Sequence, residues 1–155
     1  MQIVLATHNK GKMSEINSLL SSSYEVLTLD HFPDIKEIPE TGKTLKENAF
    51  IKARTVFKMT GLPSLADDTG LEVESLGGEP GVFSARYAGE QASYQDNCKK
   101  LLKNMMHVPK KDREAKFRTV IAYKDDNREL CCDGSVNGEI AQSSKGSFGF
   151  GYDSV

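Results

Sequence analysis

The chain of 155 residues lacks tryptophan and has only three cysteines, two of them adjacent at Cys131 and Cys132. An odd number of cysteines does not make a disulfide framework, so we expect a reduced, cytoplasmic protein. No apolar run approaches the roughly 18 residues of a membrane-spanning helix. The first residues lack the charged n-region and the long apolar h-region of a signal peptide. Neither sign of charge dominates, since 20 basic residues stand against 22 acidic ones. We therefore expect neither a membrane partner nor a nucleic-acid partner.

Two common kinds of site are also missing. The histidines His8, His31 and His107 have no histidine four residues away, and there is no Cys-x-x-Cys, so we expect no zinc site. Gly42-Lys43-Thr44 resembles the end of a P-loop, but Glu37 stands where that motif requires its first glycine. We interpret this segment as a turn followed by a helix N-cap.

Hydrophobic periodicity predicts a mixed α/β fold. Strands are predicted at residues 3–6, 24–29, 64–66, 71–75, 117–123 and 129–136. Helices are predicted at residues 13–20, before a breaker at residues 21–23, at 45–60 and at 94–105. Thr44 and Glu47 form a capping box for the second helix, and Gly61 ends it. The length suits a single domain over residues 1–155.

The polar segment between the first strand and the first helix is a candidate phosphate site. It consists of Thr7, His8, Asn9, Lys10, Gly11 and Lys12. A turn at this place directs backbone N–H groups and the positive end of the helix toward a ligand. Hydroxyl, amide and ammonium groups add donors that suit a phosphate chain. An ordinary polar loop with surface lysines explains the same spacing and stays open.

Two adjacent carboxylates, Asp67 and Asp68, follow the short strand at residues 64–66. At a strand terminus they repel each other unless a cation or basic side chains compensate them. Carboxylate oxygens suit Mg²⁺, which proteins hold with one or two carboxylates plus substrate phosphates. An exposed Asp-rich turn is the alternative interpretation.

Three further features are ambiguous when each is considered alone. Glu40 lies just before Gly42 and can bend toward a strand-end site. Lys52 is expected on the helix face opposite the apolar residues. When each is taken alone, Glu40 and Lys52 have the character of ordinary surface residues. The glycine-rich segment 145–153 offers close backbone approach and aromatic rings for stacking on a base, or it is an ordinary loop.

Five motifs, taken in order, closely resemble the inosine triphosphate pyrophosphatase family. They lie at residues 7–12, 40–53, 66–71, 76–87 and 150–153, and the resemblance as a whole runs from residue 2 to residue 153. The resemblance implies Mg²⁺-dependent hydrolysis of ITP, dITP and XTP to the monophosphate and pyrophosphate, which cleanses the nucleotide pool. It implies an elongated α/β fold with a mixed sheet and flanking helices, two lobes around an active-site cleft, and a homodimer.

The resemblance also implies a role for each matching residue. Thr7, His8, Asn9, Lys10, Gly11 and Lys12 would hold the triphosphate, and Lys52 would add a second cation. Glu40 and Asp68 would hold the metal. Asp68 would also orient or deprotonate the attacking water, with Asp67 supporting it. The residues contacting the rest of the substrate would be Thr69, Phe150, Gly151, Tyr152 and Asp153.

The chain departs from the family pattern in two ways. Ser154 stands where the family usually has proline. The family also continues into a segment with a lysine and a Ser-His-Arg stretch that grips the keto purine, so we expect a C-terminally incomplete domain. A catalytically impaired nucleotide-binding remnant is therefore an alternative, and so is a related pyrophosphatase that prefers modified pyrimidine or methylated nucleotides.

Overall fold

The structure is a computed structural model that describes residues 1–20, 22–146 and 149–155. Ser21 of the predicted breaker and Ser147 and Phe148 of the glycine-rich segment lie outside the described residues. The strands are β1 (Gln2–Leu5), β2 (Glu25–Thr28), β3 (Ser64–Val73), β4 (Glu114–Lys124) and β5 (Glu129–Glu139). The helices are α1 (Lys10–Leu20), α2 (Leu45–Thr60) and α3 (Tyr94–Asn104).

All five strands belong to one sheet in the order β2-β1-β3-β4-β5, which confirms the predicted mixed α/β fold. β1 pairs in parallel with β2 and with β3, so that Ile3 lies opposite Val26 and Leu5 opposite Leu65. A parallel strand between two neighbours is covered on both faces, and β1 is accordingly buried from Ile3 to Leu5.

β4 and β5 form the predicted hairpin, because the short connection at residues 125–128 joins neighbouring strands. Asp125 shapes this turn: its Oδ1 accepts the N–H groups of Asn127 at 2.8 Å and Arg128 at 2.7 Å. Every residue of β5 is exposed. Cys131 and Cys132 on this strand are free thiols.

The chain divides into two compact units. The first comprises Met1–Asp68 and Val120–Asp133, and the second comprises Thr69–Thr119 and Gly134–Val155. The core of the first unit contains Val4, Leu5, Ala49, Ala53, Val56 and Ala122, which have no exposed surface. The core of the second is a cluster of Leu71, Val73, Tyr87, Cys98, Leu101, Met105, Ile140 and Tyr152. A single domain over residues 1–155 stays a prediction.

The predicted N-cap Thr44 begins α2, but Glu47 closes back on the residue before Thr44 and not on Thr44 itself, so the full capping box does not form. Thr44 Oγ1 accepts the N–H of Glu47 at 3.1 Å, and Glu47 Oε2 accepts the N–H of Lys43 at 2.6 Å. Gly61 ends the helix in the left-handed region with φ of 68°, and its N–H donates to the carbonyl of Phe57. This geometry confirms that Gly42-Lys43-Thr44 is a turn and an N-cap rather than a P-loop.

The expected position of Lys52 on the outer face of α2 is wrong. The buried face of this helix contains Leu45, Asn48, Ala49, Lys52, Ala53 and Val56. Lys52 lies three residues after Ala49 and four before Val56, and such spacing places all three on one face. The polar pair Asn48 and Lys52 is therefore enclosed with the apolar residues.

The predicted break in β3 is also wrong. Residues 64–73 form one continuous strand, so Asp67 and Asp68 lie within it and not at its end. Each carboxylate is compensated by a lysine from another part of the first unit, which removes the need for a turn.

None of the helices in the described ranges combines the length and the hydropathy that a membrane-spanning segment requires.

Candidate functional site

The candidate site is built around the middle of β3. Because successive side chains of a strand point to opposite faces, Asp67 and Asp68 point in opposite directions. Lys12 of α1 places its Nζ 2.5 Å from Asp67 Oδ2, and Lys52 of α2 places its Nζ 3.0 Å from Asp68 Oδ1. The two carboxylates therefore have separate cationic partners.

Lys52 joins two carboxylates that are far apart in the sequence. Its Nζ lies 2.7 Å from Glu40 Oε1 and 3.0 Å from Asp68 Oδ1. Lys52 is 9% exposed and Asp68 is 5% exposed, so this ion pair is shielded from water. The predicted metal ligands Glu40 and Asp68 thus converge on one point, which the ammonium group occupies.

Burial changes the proton affinities in this cluster. Loss of hydration raises the pKa of Asp68 to about 6 despite the opposing attraction of Lys52, and the charge of Glu40 raises it further. Burial alone would lower the pKa of Lys52, but the nearby carboxylates outweigh it and raise that pKa above its usual value. Lys52 is therefore a firmly protonated cation, while Asp68 has the proton affinity of a general base that works near neutral pH.

Asn48 is a site residue that the sequence analysis missed. It has no exposed surface, and its Oδ1 accepts the N–H of Gly42 at 2.7 Å. A Cβ on Gly42 would lie 2.6 Å from this Oδ1 and 2.7 Å from Glu47 Cβ, so only glycine fits. The position of Asn48 one helical turn before Lys52 was the available signal.

The predicted phosphate segment between β1 and α1 is tied together by its own side chains. Asn9 Oδ1 accepts the N–H groups of Gly11 at 3.0 Å and Lys12 at 3.2 Å, which caps α1. Thr7 Oγ1 accepts the N–H of Asn9 at 3.1 Å. His8 and Lys10 are exposed. The loop is thus pre-shaped, and its lysines are the cations that it offers.

The donor set decides which metal the site suits. Within the described residues, no group of three or more His, Cys, Asp or Glu side chains is placed to hold a metal ion. Glu40 and Asp68 nevertheless converge, and two carboxylates are a sufficient protein contribution for Mg²⁺ when substrate phosphates complete its shell. Asp68 Oδ2 is buried and has no hydrogen-bond partner within the described part of the chain, so this carboxylate has acceptor capacity that Lys52 does not use.

Other predicted substrate-contacting residues belong to the second unit. Thr69 Oγ1 lies 2.9 Å from Thr119 Oγ1. Tyr152 is buried, and its hydroxyl donates to the carbonyl of Ser84 at 2.9 Å. Burial raises the pKa of Tyr152 well above its usual range, so the hydroxyl stays protonated. Tyr152 therefore anchors the fold of this unit.

The turn around Tyr152 presents a second aromatic ring. The ring of Phe150 lies against that of Tyr94 with centroids 6.5 Å apart. Asp153 Oδ2 accepts the N–H of Phe150 at 2.8 Å, and Gly151 adopts a positive φ of 62°. Phe150 is partly exposed whereas Tyr152 is buried, so Phe150 is the aromatic side chain of this motif with exposed surface.

The chain is similar to known proteins along nearly its whole length. A model of the Ham1 family matches residues 3–155. A dITP/XTP pyrophosphatase of Vibrio parahaemolyticus is 48% identical over 99% of this chain and 78% of the Vibrio protein, and one of Geobacter sulfurreducens is 46% identical over 98% and 77%. The solved structure of a HAM1 protein from Coxiella burnetii matches with a TM-score of 0.90 and 42% identity, covering 100% of this chain and 80% of that one. The sequence resemblance is thereby confirmed, and the chain belongs to the Ham1 family.

Proposed function

We propose that this protein hydrolyses non-standard purine nucleoside triphosphates, namely dITP, ITP and XTP, to the monophosphate and pyrophosphate. The observation that carries the proposal is the buried convergence of Glu40, Lys52 and Asp68, with the Lys12–Asp67 pair on the other face of β3. The names of the Vibrio and Geobacter relatives, both dITP/XTP pyrophosphatases, supply the substrate class.

Glu40 and Asp68 would hold Mg²⁺ in this scheme. When bound, Mg²⁺ neutralises charge on the phosphate oxygens and on the leaving pyrophosphate. Lys52 Nζ already contacts both carboxylates, so the same two oxygens can serve a cation. Lys52 would then turn part of its hydrogen-bonding capacity to the triphosphate.

The triphosphate would lie over the segment Thr7–Lys12. Its negative charge suits the N-terminus of α1 and the lysines of that segment, with Lys12 oriented by Asp67. The helix N-terminus and Lys12 are held in place before the substrate arrives, and preorganised charge is the most effective kind for stabilising a transition state.

Asp68 would act on the attacking water. Its carboxylate accepts a proton while the water oxygen forms a bond to the α-phosphorus. The bond from that phosphorus to the bridging oxygen breaks, and the electron pair leaves with pyrophosphate. The raised pKa of Asp68 favours this proton transfer.

Thr69 and the turn Phe150–Asp153 would contact the nucleoside end of the substrate, with Phe150 as the ring that offers free surface. A homodimer in the cytoplasm is part of the same proposal. The reaction is tested by measuring pyrophosphate release from dITP, XTP, dATP and a modified pyrimidine nucleoside triphosphate, with and without Mg²⁺. Mg²⁺-dependent release from dITP and XTP that greatly exceeds release from dATP is expected. Equal rates on dATP or on modified pyrimidine nucleotides would overturn the substrate class, and binding of dITP without turnover would overturn the activity.

A further inference from the structure

Two buried asparagines hold loops in this protein, and they differ in one respect. Asn97 of α3 is 1% exposed; its Oδ1 accepts the N–H of Ala88 at 2.7 Å, and its Nδ2 donates to the carbonyl of Ala85 at 3.0 Å. Asn48 of α2 uses its Oδ1 in the same way, for Gly42 at 2.7 Å. Its Nδ2, however, is buried with no hydrogen-bond partner within the described part of the chain.

The orientation of the Asn48 amide follows from its partner. A backbone N–H only donates, so the atom that faces Gly42 is the amide oxygen, and the NH₂ group is turned the other way. Leaving a buried amide N–H without an acceptor is unfavourable, and buried polar groups in folded proteins are nearly always satisfied. An unused donor at this place therefore calls for an acceptor in the working state.

The acceptor is close at hand. Asp68 Oδ2 is likewise buried without a hydrogen-bond partner among the residues described. The amide of Asn48 is one of the groups that lower the pKa of Asp68, so the two side chains face each other. The oxygen side of the amide holds the segment that carries Glu40, because Gly42 lies two residues after it.

We propose that Asn48 is a positioning residue that sets the spacing of Glu40 and Asp68, with Oδ1 fixing the Glu40 segment through Gly42 and Nδ2 donating to Asp68 Oδ2 when the site is loaded. This inference rests on the proposed function of that pair as metal ligands. Asn48 touches neither the reacting atoms nor the metal, so its effect passes through the two carboxylates.

The test compares Asn48→Ala with the matched variant Asn97→Ala. Both remove a buried loop-holding amide, so both are expected to lower the thermal unfolding temperature. Mn²⁺ serves as the probe of the carboxylate pair, and its dissociation constant is measured by calorimetry without nucleotide. We expect Asn48→Ala to weaken Mn²⁺ binding about tenfold or more and to lower kcat for dITP more than it raises KM. Asn97→Ala is expected to stay within about twofold of the wild type in Mn²⁺ affinity, kcat and KM.

If Asn48→Ala binds Mn²⁺ and turns over dITP like Asn97→Ala, then Asn48 only stabilises the fold and the proposal is wrong. If Asn48→Ala does not fold, Asn48→Asp decides, because it keeps the size and the acceptor for Gly42 but loses the donor. Its kcat is expected to fall at least about tenfold, and an unchanged kcat would overturn the proposal. Failure of the proposed function shows separately, as wild-type protein that binds Mn²⁺ but releases no pyrophosphate.

Discussion

Asp67 and Asp68 are neighbours in the chain, but they face opposite sides of β3 and pair with different lysines. From the sequence we expected two like charges at a strand end, compensated by a cation or by basic side chains. The structure separates them instead, with Asp67 held by α1 through Lys12 and Asp68 held by α2 through Lys52. Their contributions to the reaction are therefore separable by mutation.

We expect Asp68→Asn to lower kcat/KM for dITP by about 100-fold or more, because the amide cannot accept the proton of the attacking water. The matched variant Asp67→Asn removes the same charge from the opposite face of β3. It is expected to retain activity within about tenfold, because Asp67 only orients Lys12. Pyrophosphate release measures both variants, and a larger loss in Asp67→Asn would exchange the two roles.

The raised pKa of Asp68 makes stability depend on pH. Its pKa is about 6 in the folded protein, whereas an unfolded aspartate has a pKa of about 3.9. Between these values the folded state binds more protons than the unfolded state, so this group lowers the free energy of unfolding as pH rises. Above the folded pKa, the amount by which Asp68 lowers the free energy of unfolding no longer changes with pH.

In chelator, the unfolding temperature of the wild type is therefore expected to fall relative to that of Asp68→Asn from about pH 4 to about pH 6, and to run parallel to it above that range. Thermal unfolding of the two proteins in matched buffers measures this difference. A difference that is constant across the whole range would show that burial does not raise the pKa of Asp68.

At the scale of elements, β3 shows where local patterns fail. Asp67 and Asp68 interrupt the apolar alternation. Local hydrophobic periodicity therefore predicts two strands and a turn for residues 64–75. The structure keeps one strand, Ser64–Val73, because lysines from α1 and α2 neutralise the two charges. Those partners are distant in sequence, and periodicity carries no information about them.

α2 shows the opposite case. Its start at Thr44 and its end at Gly61 were predictable because capping depends on residues within one turn of each end. The inward direction of Lys52 was missed, although its position three residues after Ala49 places the two side chains on the same face of the helix. A lysine on a buried face is so uncommon that the residue type outweighed the spacing.

The cap of α2 is expected to matter for the site as well as for stability. Thr44→Ala removes the acceptor for Glu47 N–H and should lower the free energy of unfolding by about 1 kcal/mol. Ser93→Ala is the matched variant, since Ser93 caps α3 by accepting the N–H of Asp96 at 3.2 Å. Urea unfolding should give similar losses for both.

Only Thr44→Ala should also lower kcat/KM for dITP, by a few-fold, because α2 carries both Asn48 and Lys52. An equal loss of activity in Ser93→Ala would mean that stability alone governs the rate.

At the scale of the whole molecule, five ordered motifs were enough to predict family membership. They were not enough to predict the side-chain contacts inside the site. The chain spans 78% of the Vibrio relative and 80% of the Coxiella structure. Motifs predict which residues meet a substrate. They do not reveal that Lys52 bridges Glu40 and Asp68, because this contact depends on the packing of α2 against β3.

Arg113 is a second feature that no motif indicated. It is 4% exposed, and its guanidinium donates to the carbonyls of Met105 at 2.6 Å, Ile140 at 2.8 Å and Ala141 at 2.8 Å. These carbonyls belong to separate segments of the second unit. The planar guanidinium group, with several N–H donors, can reach all of these carbonyls at once, whereas the single ammonium group of a lysine cannot.

Arg113→Lys should therefore lower the free energy of unfolding by about 3 kcal/mol, because buried carbonyls lose charged donors. Urea unfolding measures the loss, and Lys110→Ala in the exposed turn nearby is the control. A loss below about 0.5 kcal/mol, the usual range of surface substitutions, would show that Arg113 does not hold these segments together.

The proposed reaction is attack of water on the α-phosphorus of a nucleoside triphosphate at the Glu40, Lys52 and Asp68 cluster. Hydrolysis of dITP with Mg²⁺ in water enriched in oxygen-18, followed by mass spectrometry of both products, tests it most directly. We expect one labelled oxygen in the nucleoside monophosphate and none in the pyrophosphate. Label in the pyrophosphate, or release of orthophosphate in its place, would contradict it.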